Sequence, residues 1–263
     1  MGLKLAALGA AAALAVGPAD YLVARQQPDG GFAEPDGRSD PALTAWVVLG
    51  LRAAGRRPAR APNDYLHEAV IADTTDLALR VLALRALGDV RGLDLHIHRR
   101  RRADGRIGSL INSTAWSALA LGKPGRATIR YLLRVQHHSG GWSWVARGAP
   151  DSNDTAAVIQ ALRAGGVRGR PIRRGLAYLR RLTAPNGGVR LAPGRQPDAQ
   201  STAWAIQAYL AAGVKPPGAA YRFLRSLRRP DGSFRYSRRY AVTPAIVTAQ
   251  VLPALAGKPF PLR

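Results

Sequence analysis

The feature that most limits how this chain can fold is a motif that returns every thirty to fifty residues. The stretch YLVARQQPDGGF at 21–32 lines up with YLLRVQHHSGGW at 131–142 through an aromatic–Leu pair, a Gln and a Gly-Gly-aromatic turn. Tyr178-Leu179 leads at the same spacing to Gly187, Gly188 and Val189, and Phe223-Leu224 leads to Gly232, Ser233 and Phe234. A weaker copy runs from His96-Ile97 to Gly105, Arg106 and Ile107, and Tyr65-Leu66 opens a shortened one. The starts therefore fall at 21, 65, 96, 131, 178 and 223. A repeat of this length is one small unit that cannot bury its apolar face alone, so successive units must stack.

Each clear copy has a second half: TAWVVLGLRAAG from Thr44, STAWSALALG from Ser113, DTAAVIQALRAGG from Asp154, STAWAIQAYLAAG from Ser201 and TAQVLPALAG from Thr248. These runs are rich in Ala, Leu and Val and are stopped by Gly, as expected of short helices with glycine C-caps. The first halves, such as RATIRYLLRVQ and RRGLAYLRRL, place apolar residues at three- and four-residue intervals among Arg. Such a pattern gives an amphipathic helix with one solvated face. The apolar helices must be buried and the amphipathic ones can cover them. Six such pairs make an open solenoid or a closed ring. No strand-like alternation of any length interrupts them, so the expected class is all-α.

Outside the repeats, the segment 1–17 carries one Lys and then an apolar run from Leu5 to Val16. That run suits a signal-peptide core and is too short to span a bilayer. It is expected to precede a repeat domain over 18–258, with 259–263 as a C-terminal tail. Export to the cell envelope or beyond follows from that reading; a first buried helix in a cytoplasmic protein is the alternative. There is no Cys, which excludes disulfides and thiolate–metal sites. The net charge of +23, from 39 Lys and Arg against 16 Asp and Glu, would draw an anionic polymer or membrane surface. Nucleic acid is disfavoured: the dense run Arg99–Arg102 has no interleaved aromatic residues, and no DNA- or RNA-binding signature accompanies it.

With its aromatic–Leu pair, Gln136 four residues before Gly140, and Gly-x-Trp ending at Trp142, the segment 126–142 resembles the QW repeat of terpene cyclases such as squalene-hopene cyclase and the related repeat of protein prenyltransferases. The resemblance covers about residues 18–258. It implies an (α/α)6 toroid built from about six helix-pair repeats, with a central cavity that holds an isoprenoid or other hydrophobic small molecule. It calls for no cofactor here: the prenyltransferase zinc site needs a Cys, and this chain has none.

Class II terpene cyclases protonate their substrate with a D-x-D-D motif ahead of Thr-Ala, the middle Asp being the acid. The aligned residues here are Asp151, Ser152, Asn153 and Asp154, before Thr155-Ala156. Asn153 stands where the acid should be, and an amide has no proton to give near neutral pH. Asp40, Asp151 and Asp198 each lie four residues before the Thr of an apolar helix, the position of an N-cap. In a closed ring those caps meet at one mouth, beside Asn112, Asn153 and Asp154. Trp46, Trp116 and Trp204 sit just inside the apolar helices, where they either line a cavity or pack in the core. Asp151, Asn153, Asp154, Asn112, Trp116 and Trp204 are accordingly the candidate ligand-binding residues. Two functions stay open: a cyclase- or transferase-like protein handling a hydrophobic ligand, with or without catalysis, and a non-catalytic binding module at the cell envelope.

Overall fold

The structure, a computed structural model, describes residues 16–89, 92 and 94–262. Residues 1–15, most of the expected signal segment, lie outside the described residues. Among the described residues twelve helices alternate between two kinds. The inner kind comprises α2 (Pro41–Ala53), α4 (Thr74–Ala86), α6 (Ile111–Ala120), α8 (Ser152–Ala164), α10 (Ala199–Ala211) and α12 (Pro244–Leu255). The outer kind comprises α1 (Pro18–Val23), α3 (Asn63–Glu68), α5 (Asp94–His98), α7 (Arg126–Arg134), α9 (Arg170–Leu182) and α11 (Gly218–Ser226). Each inner helix packs on the next, and α12 packs on α2, so the six close into a ring. The expected all-α (α/α)6 toroid is what forms; the regular extended structure is one short antiparallel pair, β1 (Val189–Arg190) with β2 (Pro197–Asp198).

Composition explains which helix goes where. In α2 every residue from Leu43 to Leu51 is buried, and in α10 every residue from Ser201 to Tyr209. Such helices have no face for water. Small residues let them approach closely: a Cβ added to Gly50 of α2 would stand 2.7 Å from the carbonyl oxygen of Ala249 in α12, at the seam that closes the ring. The outer helix α9 buries Ile172, Leu176, Tyr178, Leu179 and Leu182 on one stripe and leaves Arg173, Arg180 and Arg181 exposed.

The sixth inner place belongs to α4, whose partner at Tyr65-Leu66 was legible but whose own sequence was not. TTDLALRVLALRA lacks the Thr-Ala-Trp signature and carries two Arg. The helix keeps them by using its ends and outer side: Arg85 makes a forked contact to Asp94 at 2.6 and 2.7 Å, and Arg80 donates to the Ala69 carbonyl at 3.0 Å.

One hydrogen-bond unit ties each remaining pair together. The backbone N–H of the residue ending the glycine turn donates to the hydroxyl of the Thr near the start of the inner helix. The pairs are Phe32 to Thr44 (2.8 Å), Ile107 to Thr114 (3.1 Å), Trp142 to Thr155 (2.9 Å), Val189 to Thr202 (2.9 Å) and Phe234 to Thr248 (2.9 Å). All five Thr are fully buried. Four of these hydroxyls donate in turn to the carbonyl four residues back, at 2.6–2.8 Å, so donor and acceptor are both satisfied. This is why Thr, rather than Ser or Val, precedes Ala: the hydroxyl clamps the turn while the methyl fills an apolar site.

The turn itself needs Gly. Gly140 has φ of 97°, and a Cβ there would lie 2.6 Å from the Arg174 carbonyl oxygen of the next outer helix. Gln136 joins the same two parts, donating to the carbonyls of Gly140 at 2.8 Å and Pro171 at 3.0 Å. Trp142 packs back with no exposure and donates its indole N–H to the Leu132 carbonyl at 2.7 Å.

The tail expected at 259–263 is part of the core at one point: Phe260 is 3% exposed. An apolar aromatic side chain two residues from Lys258 found a seat inside the ring rather than in solvent.

Replacing Thr202 with Val keeps the shape and strands the Val189 N–H without a partner. Thr202→Val is expected to cost about 1–3 kcal/mol in chemical denaturation, and Thr202→Ser clearly less. A larger loss for Thr202→Ser than for Thr202→Val would show that the methyl group, not the hydroxyl clamp, carries the site.

Candidate functional site

The inner helices all start at the same rim. Asp40, Asp151 and Asp198 are N-caps, as expected, accepting from the N–H of Leu43 at 2.7 Å, Asp154 at 2.8 Å and Ser201 at 2.7 Å. Asp73 caps α4 in the same way, and the Glu34 carboxylate reaches α12, accepting from Ala245 and Ile246 at 2.8 and 2.9 Å. Carboxylates at these ends satisfy otherwise unpaired donors and suit the positive end of the helix dipole. The loops fold over the rim: the carbonyls of Trp144, Leu191 and Tyr236 accept from the first N–H groups of α6, α8 and α10.

Helical phase then separates two residues that are adjacent in sequence. Trp46 lies two residues beyond its clamp Thr and faces the ring axis; the same position in α8 is Ala157. Asn153, four residues before Ala157, shares its face and is partly exposed at the mouth. Asp154 turns toward α6 instead, where the Asn112 amide donates to its carboxyl at 2.6 Å. The Asn112 carbonyl in turn accepts from the Thr75 hydroxyl at 3.1 Å. Asp151, Asn153, Asp154 and Asn112 are thus brought together at the mouth, and the residue on the axis side is the amide.

Asp154 is 2% exposed. Burial pushes its carboxyl up to about 8, and the neighbouring Asp151 side chain adds to the rise against the opposing Asn112 bond. Burial also lifts Asp198 to about 6, with the Ser201 hydrogen bonds opposing. Asp154 therefore holds its proton at neutral pH, the form in which a carboxyl can donate one.

Below the mouth, the axis is occupied. Trp46, Trp116 and Trp204 come from alternate inner helices α2, α6 and α10 and meet one another at ring-centroid distances of 5.2–5.6 Å. Phe260 joins them, 6.1 Å from Trp46 and 5.8 Å from Trp116. All four are at most 6% exposed. Four of these five contacts are edge-on, close in geometry to the arrangement aromatic quadrupoles favour. The open central cavity implied by the family resemblance is, at this height, filled with protein. The physical reason lies in the alternation: the in-phase position is Trp in α2, α6 and α10 but Ala157 in α8 and Gln250 in α12, which leaves room for three indoles to converge. Trp116 and Trp204 consequently do both things expected of them as alternatives, facing the axis and packing in the core.

Nearer the C-terminal ends of the inner helices are two residues that sequence reasoning passed over. Gln160 of α8 and Gln207 of α10, each five residues beyond a clamp Thr, are completely buried. Gln160 accepts the Phe260 N–H at 2.8 Å through Oε1. Its Nε2, both amide atoms of Gln207 and the Trp204 indole N–H have no hydrogen-bond partner. A Gln inside VIQAL and AIQAY, runs otherwise apolar, was the available signal. Among the described residues, no group of three or more His, Asp and Glu is placed to hold a metal ion.

No family model and no curated protein sequence matches the chain. Solved structures do. A protein from Actinoplanes is 21% identical with a TM-score of 0.69, over 91% of this chain and 97% of that one. A variant of the type II terpene cyclase MstE from Scytonema, in complex with its substrate geranylgeranyl dihydroxybenzoate, is 17% identical with a TM-score of 0.72, over 91% and 94%. The protein geranylgeranyltransferase-I of Candida albicans, complexed with GGPP, is 10% identical with a TM-score of 0.60, over 82% and 83%.

The Asp154 shift has a measurable consequence. Its folded-state value lies above the unfolded 3.8, so the stability due to the neutral carboxyl is whole below about pH 4 and is lost as pH rises through about 8. Asp154→Asn preserves the shape and cannot ionise. The melting temperature of the wild type is expected to fall relative to the variant between about pH 4 and about pH 8, and parallel profiles would show that Asp154 is ionised throughout. With its closed ring of six inner helices and its outer layer, the chain has the α/α toroid fold of terpene cyclases and protein prenyltransferases.

Proposed function

We propose that this protein binds a long apolar ligand of isoprenoid type on the toroid axis and does not cyclise it by protonation. The observation that carries the binding half is the convergence of three indoles on the ring axis. They form an apolar, aromatic seat that rings of Ala and Leu from the inner helices surround. The structural neighbours add support: one holds geranylgeranyl dihydroxybenzoate and another GGPP within the same fold. The non-catalytic half rests on Asn153 at the acid position and on Asp154 turned sideways onto the Asn112 amide.

A second reading is favoured by the rim. Trp144, Val145, Tyr240 and Val242 are each 42–55% exposed on the loops 143–150 and 235–243, which also carry Arg147, Arg235, Arg238 and Arg239. Aromatic and aliphatic tips among arginines suit an anionic surface with an apolar layer, as at a membrane. This surface role accompanies ligand binding without requiring it.

Incubation with squalene and shorter polyprenes, followed by gas chromatography, is expected to return the linear compounds unchanged, while radiolabelled geranylgeraniol co-elutes with the protein in gel filtration. Cyclic products that disappear in Asp154→Asn would make Asp154 the acid and overturn the non-catalytic reading. A failure to retain any polyprene or prenyl alcohol would overturn the ligand reading.

A further inference from the structure

The seat described above is taken by a residue of the chain itself. Phe260 places its ring against Trp46 and Trp116 and its backbone N–H on Gln160 Oε1. It arrives there on a short strap. Helix α12 ends at Leu255, Gly257 turns the chain with φ of 68°, and Lys258-Pro259 lead inward. Between this strap and the ends of α8 and α10 lies a hollow of about 410 Å³, bordered by Gln160, Leu210, Ala211, Lys258, Pro259 and Phe260. Gln160, itself fully buried, thus lies directly behind the wall of this hollow.

Resting on the ligand reading, we propose that the Phe260 strap is an internal stand-in for the ligand, and that the ligand it mimics is a prenyl chain ending in a neutral hydroxyl rather than in a diphosphate. An apolar ring with a hydrogen-bond donor attached is what the seat now holds. When the strap withdraws, Gln160 Oε1 is free to accept from a hydroxyl. Gln160 Nε2, the Gln207 amide and the Trp204 N–H, all buried and without partners, offer further donors and one more acceptor. A hydroxyl both donates and accepts, so it can use this mixed set. A diphosphate only accepts, and once the strap with its exposed Lys258 has withdrawn it would have to shed its water among neutral groups. The arginine nearest the hollow does not supply the missing charge contact: Arg163 is committed through Nε to the Ala211 carbonyl and through a terminal nitrogen to that of Val167, both at 2.9 Å.

A stand-in that must leave lowers the apparent affinity of the true ligand by the fraction of molecules in which the seat is free. Equilibrium binding of radiolabelled geranylgeraniol and of geranylgeranyl diphosphate to the full chain, compared across variants, tests this. Phe260→Ala is expected to tighten geranylgeraniol about tenfold or more and the diphosphate little. Phe260→Leu, which still fills the seat, should stay close to wild type. Adding Gln160→Leu to Phe260→Ala should cancel most of the gain. Melting curves establish that each variant is folded, and Phe260→Val gives the same comparison if the Ala variant is not. Equal geranylgeraniol affinity in wild type and Phe260→Ala would overturn the stand-in while leaving the ligand reading intact. A larger gain for the diphosphate would overturn the assignment to a neutral head group. Binding of neither compound by any variant would remove the ligand reading and this inference with it.

Discussion

The threonine hydroxyl that clamps the glycine turn to its inner helix is the contact on which the toroid depends. Five times it takes the N–H of the residue ending the turn, and four times it passes a hydrogen bond on to the carbonyl one helical turn back. Each turn would otherwise bury an unpaired donor beneath an outer helix. Because the clamp fixes where the inner helix begins relative to the outer one, it also fixes the helical phase. Every residue counted from the Thr then has a defined relation to the axis: two before it at the mouth, two after it at the tryptophan level, five after it at the level of the buried glutamines.

That common phase accounts for the chemistry of the centre. Indoles at the same position in α2, α6 and α10 meet because the clamps hold them at one height, and intervening helices with smaller side chains give them room. It also sets the fates of Asn153 and Asp154. One residue of difference turns the amide to the axis and the carboxyl to Asn112, so the group with a proton to give points away from where a ligand would lie. The acid caps along the rim satisfy helix donors and leave the axis uncharged, as an apolar ligand requires.

Much of this was legible in the repeat. Gly-Gly-aromatic turns, Thr-Ala helices and Asp residues four before the Thr are local signals, and each is tied to its element by backbone chemistry, so the helix pairs and the three Asp caps could be read directly, whereas closure of the ring followed only from the family resemblance. Inner helix α4 escaped because its place is set by neighbours: with α2 and α6 on either side, a Leu-rich helix with two Arg fits without the signature residues. The filled axis escaped for a different reason. No pairwise spacing along the chain shows that Trp46, Trp116 and Trp204, separated by whole repeats, share one point in space. Phe260 was hidden by its position outside any repeat, and the proton on Asp154 by its dependence on burial between two helices.

The central claim is that the axis of a closed ring is occupied by three indoles and one phenyl ring. Nuclear Overhauser measurements on protein selectively labelled at Trp and Phe test it most directly. With centroids 5.2–6.1 Å apart, the indoles of Trp46, Trp116 and Trp204 should show mutual contacts, and the Phe260 ring should show contacts to Trp46 and Trp116. Indoles that show no contact with one another, with Phe260 free of both, would mean that the axis is open and that the account of the centre is wrong.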